Sequence, residues 1–255
     1  MDSNTNKSFD VSAGRLIPRL ISASTHNFAD GIVWYVDIEH DQVVFDRDKK
    51  KQLDEVRYNR ALMCSTTSGL PCEAIHYHDV SREHAEKKNV RAMCISGNTT
   101  DWVHYDFQEF SPLFDLFQSG QMPTLAFCGG HQLIALAFGA TCDAIRKLEP
   151  GEEEIADWAK GYFAEVGYLP LTLLKPDPLF DGFGNQATFF ESHYWEIKEL
   201  PHEFELLASS QAVINQVIKL RQFPVYGTQF HPEVNDAEHP DGFRLMQNFF
   251  QIAFA

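Results

Sequence analysis

The chain has 255 residues, 44% hydrophobic and 13% aromatic, enough to bury a full core, and one large α/β domain is the default expectation. Its formal charge of −15 argues against a nucleic-acid or anionic-membrane surface, no apolar run approaches membrane-spanning length, and the opening MDSNTNKSFD lacks a signal-peptide core. The five cysteines (Cys64, Cys72, Cys94, Cys128, Cys142) are odd in number, scattered and without C-x-x-C spacing, which suits a reducing, cytoplasmic setting better than a disulfide framework or a zinc site.

Residues 1–30 are polar and irregular apart from Leu16 to Ile21, and read as an N-terminal arm; residues 31–255 read as the domain. Ile32 to Ile38 is a near-continuous apolar run, as in a strand buried on both faces of a parallel sheet. A charged helical stretch, Asp46 to Ser68, ends at Gly69. Short strands are predicted at Glu73 to His76 and Arg91 to Ser96, an aromatic amphipathic helix at Phe107 to Phe117, and another strand at Thr124 to Phe127. Strands alternating with helices imply right-handed crossovers and a parallel sheet with its site at the carboxyl ends of the strands. The acidic Leu148 to Trp158 reads as a surface insertion or lid. Strands at Phe163 to Leu174, Ala187 to Glu191, Phe204 to Ser209 and Val213 to Leu220 suggest an antiparallel extension. Val225 to Phe230 is the last strand and Phe243 to Phe254 the closing helix.

Two stretches carry chemistry. In PTLAFCGGHQ, from Pro123 to Gln132, a strand turns at Cys128 straight into a helix entered through Gly129 and Gly130. Small neighbours let the backbone bend that sharply, and the helix N-terminus favours a thiolate. The N–H of Gly129 points where an oxyanion would form. Taken alone, the cysteine fits a small buried apolar residue equally well. About a hundred residues on, Phe230-His231-Pro232-Glu233 ends the last strand, because proline cannot donate to a ladder. His231 then lies on the Cys128 side of the sheet, with Glu233 two residues away to orient its ring: nucleophile, base and orienter. In isolation the blander reading is the favoured one, with His231 capping a strand beside a solvated Glu233.

AFCGGHQ at 126–132 with GTQFHPE at 227–233 resembles the class I (triad) glutamine amidotransferases, and Ser192-His193 with LPHEFELLASS at 200–210 resembles their GMP-synthetase-like branch. The resemblance implies a flavodoxin-like α/β fold with a mostly parallel central sheet, flanking helices and an antiparallel extension. It implies hydrolysis of the γ-amide of glutamine, or of a γ-glutamyl compound, through a thioester on Cys128, with His231 as acid and base and Glu233 as the third triad member. Ile95-Ser96-Gly97 aligns with the family's S-G-G loop, so the oxyanion donors are Gly129 with Gly97 or Asn98. Gln132 would hold the α-amino acid end of the substrate, and Ser192, His193 and Tyr194 would line the opposite wall. No cofactor is implied, and no nucleic-acid or membrane partner. Ammonia would pass to a separate synthase subunit, or the chain would be a free-standing γ-glutamyl hydrolase; a catalytically silent binding or regulatory protein is the third reading.

Three residues depart from the family pattern. Ala126 replaces a glycine and is still small. Gly129 replaces a bulky residue, which would leave the pocket floor open. Asn98 replaces the second glycine of S-G-G, where its tolerance of left-handed backbone would help. His76 and His78, with Asp79 and His84 nearby, could share a strand face, but amidase chemistry needs no metal and none is expected. Trp102, Tyr105 and Phe107 read as packing at the site's rim.

Overall fold

The computed structural model describes Phe9–Asp10, Ile17–Pro18, residues 31–46, residue 48 and residues 50–255. Apart from Phe9–Asp10 and Ile17–Pro18, the predicted arm lies outside the described residues. In chain order the elements are β1 (Phe9–Asp10), β2 (Ile17–Pro18), β3 (Ile32–Asp37), α1 (Asp41–Val44), α2 (Lys50–Ser68), β4 (Cys72–His76), α3 (Arg82–Lys87) and β5 (Val90–Ile95). There follow α4 (Ser111–Gln118), β6 (Thr124–Phe127), α5 (Gly129–Leu136), β7 (Thr141–Ala144), β8 (Glu165–Leu173), β9 (Gln186–His193) and β10 (Trp195–Glu199). The chain closes with β11 (Phe204–Ser209), β12 (Val217–Leu220), β13 (Val225–Thr228) and α6 (Asp241–Phe254).

Nine strands form one sheet in the order β4-β3-β5-β6-β13-β12-β11-β8-β9. From β4 to β13 all neighbours are parallel; from β13 to β9 they are antiparallel. This is the α/β architecture expected from the sequence. Strand β3 shows why the parallel half reads as unbroken apolar runs. Its Ile32, Trp34 and Val36 pack with α4 and α5 residues such as Leu113 and Ile134, whereas Val33 and Tyr35 pack with α2 and α6 residues such as Ala61 and Phe249. Alternate side chains enter opposite cores, so both faces must be apolar.

Several boundaries differ from the sequence reading. The helix predicted over Phe107 to Phe117 is a 3₁₀ turn, Phe107–Phe110, followed by α4, which Pro112 opens because its missing N–H costs nothing in a first turn. The last strand stops at Thr228, and the strand expected from Val213 begins at Val217. The sequence reading missed β7 and β10, which pair antiparallel as a separate ribbon. Gly130 has no room for a side chain: a Cβ there would lie 2.7 Å from Ser96 O and 2.8 Å from Ile95 O. That close approach lets α5 start against the end of β5, with Gly130 N–H bonded to Ser96 O at 3.0 Å.

Candidate active site

Cys128 stands between β6 and α5 with φ 48° and ψ −107°, a strained conformation for a residue with a side chain. The strain is held from both sides: Cys128 N–H bonds Thr228 O of β13 at 2.8 Å, and Cys128 O accepts from Gln132 N–H at 3.1 Å. The sequence expectation of an elbow is met in its backbone.

His231 reaches the sulfur from the neighbouring strand end. Its Nδ1 lies 2.8 Å from Glu233 Oε1, and its Cε1 and the Cys128 sulfur converge from two sides, 3.1 Å and 3.7 Å from the place a Gly97 Cβ would take. The segment is not an extension of β13. It is clamped by His231 N–H on Phe190 O (2.8 Å), by Arg60 Nη1 on Glu233 O (2.9 Å) and by Asn235 Nδ2 on Pro232 O (2.9 Å). Burial alone would lower the His231 pKa, but the Glu233 carboxylate and the Cys128 sulfur outweigh it and raise it well above the usual histidine range. Burial pushes Glu233 up, yet His231 and then Arg60 bring it below the ordinary carboxylate value. Arg60, from the middle of α2, was not singled out in the sequence; its Nε lies 3.7 Å from Glu233 Oε1.

The loop after β5 faces this pair. A Cβ on Gly97 would sit 3.1 Å from His231 Cε1 and 3.3 Å from Cys128 Cβ, so only glycine fits comfortably there. The loop is tied down by Glu39, whose carboxylate accepts Thr99 N–H and Thr99 Oγ1 at 2.8 Å each and Thr100 Oγ1 at 2.9 Å. Glu39 also went unnoticed in the sequence, because its partners lie some sixty residues away. Two expectations about this loop are corrected. Asn98 does not adopt left-handed backbone; among the described non-glycine residues only Asn89 and Cys128 have positive φ. Nor is the floor at Gly129 open. Asn98 Oδ1 occupies the place a Gly129 Cβ would take, and its Nδ2 donates to Thr100 O at 2.6 Å. The two departures from the family pattern compensate each other in space.

Two clefts meet at Cys128. One, of about 350 Å³, is walled by Asn98 to Trp102, Gly129, Gln132, Trp158 and Ser192 to Trp195. The other, of about 490 Å³, opens on the His231 side, along Gly97, Glu39, Arg57, Arg60 and Glu233. Gln132, Ser192, His193 and Tyr194 thus all border the first cleft. Gln132 is held there by Trp102 Nε1 on its Oε1 (2.9 Å) and by its own Nε2 on Trp195 O and Gln229 Oε1 (3.2 Å each). Trp102 therefore does more than pack: it fixes the glutamine. Tyr194 bonds Asp101 at 3.0 Å, and Trp158, from the acidic segment, stands 6.0 Å from the Tyr194 ring.

The ring of His193 is turned away from the cleft's chemistry. Nε2 lies 3.1 Å from both Glu165 Oε2 and Glu191 Oε2, and Nδ1 2.9 Å from Trp195 O. Burial opposes its charge, but the two carboxylates push its pKa up to about 10. His131, by contrast, is wholly buried against Gly227 and pushed down to about 3 by desolvation, a neutral packing residue. His76 and His78 do come together, but with Asp41 rather than Asp79 or His84. β4 ends at His76 and His78 lies on a 3₁₀ turn, not on a shared strand face.

With fold and site in view, the class is settled: the chain belongs to the class-I glutamine amidotransferase family, whose sequence profile matches residues 57–253. More particularly, it is similar to the A subunit of glutamine-hydrolyzing GMP synthase. The protein of that name from Methanobrevibacter smithii is 29% identical over 183 residues, covering 72% of this chain and 83% of the relative. The one from Pyrococcus abyssi is 34% identical over 140 residues, covering 55% of this chain. This chain spans 65% of that relative's length, just under two thirds. Among solved structures, a candidate GMP synthase A subunit from Thermoplasma acidophilum superimposes with a TM-score of 0.64 over 90% of this chain and 96% of that one, at 23% identity. A glutamine amidotransferase from Thermotoga maritima gives 0.54 over 80% and 77%, at 14% identity. These two likenesses concern the fold. No helix among the described residues is long and apolar enough to cross a membrane.

Proposed function

We propose that the chain hydrolyses the γ-amide of glutamine through a γ-glutamyl thioester on Cys128 and hands the ammonia to a separate synthase subunit. The observation that carries this reading is the strained Cys128 sharing a cleft with a His231 that Glu233 holds at 2.8 Å. With one ring nitrogen held by Glu233, the other is left to take the proton of the Cys128 thiol. The sulfur attacks the γ-carbonyl, and the oxyanion sits against the N–H groups of Gly129 and of Gly97 or Asn98. Gly130 N–H is not available for this role, being bonded to Ser96 O. His231 gives its proton to the departing nitrogen, which leaves as ammonia, then takes one from the water that cleaves the thioester to glutamate. The amino-acid end of glutamine lies in the smaller cleft, between Gln132 and the Ser192–Tyr194 wall. The names of the relatives support an acceptor synthase of the GMP-forming kind. We place residues 31–255 in one catalytic domain.

A second reading has its own support. The cleft on the His231 side, where the leaving group departs, has about 490 Å³, room for an amine or peptide much larger than ammonia. The chain would then be a free-standing γ-glutamyl hydrolase. The deciding experiment measures ammonia and glutamate release from glutamine, γ-glutamyl peptides and γ-glutamyl amines, with Cys128→Ala as control. Turnover of a γ-glutamyl amine but not of glutamine favours the free-standing hydrolase. Weak turnover of all, with Cys128 still labelled by a glutamine-mimicking electrophile, favours a subunit that needs its synthase. Equal activity in wild type and Cys128→Ala overturns both.

A further inference from the structure

We infer that Asp41, His76 and His78, with Glu109 at the rim, form a binding site for a divalent transition-metal ion of the zinc class, outside the catalytic triad. Strand β4 delivers His76, and the 3₁₀ turn Tyr77–Asp79 sets His78 beside it, the two rings stacked 5.0 Å apart at 28°. The first turn of α1 brings Asp41 to both. One ring nitrogen from each histidine and one Asp41 oxygen lie mutually within 4.8 Å. His78 Nε2 is 3.7 Å from Asp41 Oδ2 and 3.8 Å from Glu109 Oε2, and His76 Nε2 is 3.9 Å from Asp41 Oδ1. None of these separations is a hydrogen bond. Ligand atoms on a tetrahedral zinc ion with ordinary bond lengths stand about 3.3 Å apart, so the His78–Asp41 and His78–Glu109 separations need to close by about half an ångström. Asp41 and Glu109, with side chains 38% and 46% exposed, have the freedom to make that movement.

An independent observation points the same way. His76 is 2% exposed, yet its Nδ1 has no hydrogen-bond partner among the described residues, and Asp41 Oδ1 is a buried oxygen equally without one. Polar atoms left in that condition are costly, and a cation drawing on this imidazole and this carboxylate relieves the cost. The His76 ring is instead hydrogen-bonded through Nε2, to the main-chain oxygen of Glu39 at 2.9 Å. Because a carbonyl oxygen can only accept, the His76 proton sits on Nε2, and the unpartnered Nδ1 carries the lone pair left for the ion. Two imidazoles with carboxylate oxygens are a donor set for zinc and its neighbours rather than for magnesium or calcium. The position also matters for the catalytic site. Glu39 offers its carbonyl to His76 and its carboxylate to Thr99 and Thr100, so an ion here steadies the residue that holds the loop facing Cys128.

The test is a zinc titration of the chelator-treated full chain by calorimetry, repeated with Cys128→Ala, His78→Ala and Asp41→Asn, with cobalt as the spectroscopic probe. The expected result is saturable binding of one equivalent in wild type and Cys128→Ala, weakened at least about tenfold in His78→Ala and Asp41→Asn. Cobalt should give visible ligand-field bands without a thiolate charge-transfer band. His78 is partly exposed, so His78→Ala should keep the wild-type circular dichroism but lose the zinc-dependent rise in Tm seen in wild type. Absence of saturable binding, binding unchanged in both site variants, or a thiolate band implicating the buried Cys64, Cys72 or Cys94 would each overturn the assignment.

Discussion

Two histidine–carboxylate arrangements stand near Cys128, and they do opposite things. His231 has one nitrogen on Glu233, and its ring borders the cleft it shares with Cys128. His193 has both nitrogens occupied, by Glu165 and Glu191 on one side and Trp195 O on the other. Both rings are raised in pKa, so a perturbed titration does not by itself mark the chemical one. What separates them is whether a nitrogen is left to exchange a proton with a reacting atom. His193 is a charged strut: the β8–β9 register sets Glu165 opposite it, and the two-residue period puts Glu191 on the same strand face. It holds the wall that carries Ser192 and Tyr194.

The contrast is broken most severely at His231. His231→Gln should lower γ-glutamyl hydrolysis by about 10⁴-fold or more with a smaller loss of Tm, because Arg60 still faces the Glu233 carboxylate at 3.7 Å; steady-state assay and calorimetry check both. His193→Gln should do the reverse. Removing the cation strands two buried carboxylates, which costs about 3–5 kcal/mol and lowers Tm by several degrees at pH 7, with a much smaller loss of rate. Because its folded pKa of about 10 lies above the unfolded 6.5, the His193 contribution is complete below pH 6.5 and is lost as pH rises through 10. The fall in Tm from neutral to alkaline pH should therefore be shallower in His193→Gln than in wild type. Equal losses of rate in the two variants would erase the distinction drawn here.

A subtler handle is Glu233. The carboxylate is the foremost influence raising His231, so Glu233→Gln removes charge that favours the imidazolium and the pKa must fall. The rate should drop about 10²-fold, and the alkaline limb of the kcat/KM profile should move toward lower pH. An unmoved limb would mean that Glu233 only positions the ring.

The sequence displays one of these histidines and hides the nature of the other. His231 is legible because its neighbours in the chain, Gln229 to Glu233, are its partners in space, and because Pro232 marks where the strand must stop. Cys128 is legible for the same local reason, a strand meeting a helix through two glycines. The parallel half of the sheet follows from apolar runs such as Ile32 to Ile38. His193 borders the cleft, but nothing nearby in sequence announces Glu165 across the β8–β9 pair, so its part as a strut stays hidden. Arg60 and Glu39 act through partners 173 and about sixty residues away, and a helix interior or loop start gives no sign of such contacts. Strands β7 and β10 were missed because each is short and only partly buried, so neither shows a period on its own; their pairing is made by the fold.

The Asn98–Gly129 fit is the smallest test and the most exacting one, because it asks whether an occupied polar group shapes the loop after β5 as the occupied His193 shapes the opposite wall. A methyl at position 129 would overlap Asn98 Oδ1, so Gly129→Ala must displace the amide from Thr100 O and disturb the loop. We expect a loss of about tenfold in kcat with KM little changed, since a misplaced donor weakens the transition state rather than the ground state. Asn98→Gly alone frees the loop backbone and should cost a few-fold. Combined, the two changes should recover most of the activity, because the methyl then fills the space the amide left. The double-mutant cycle checks this directly: additive losses would show that the two positions do not share that space.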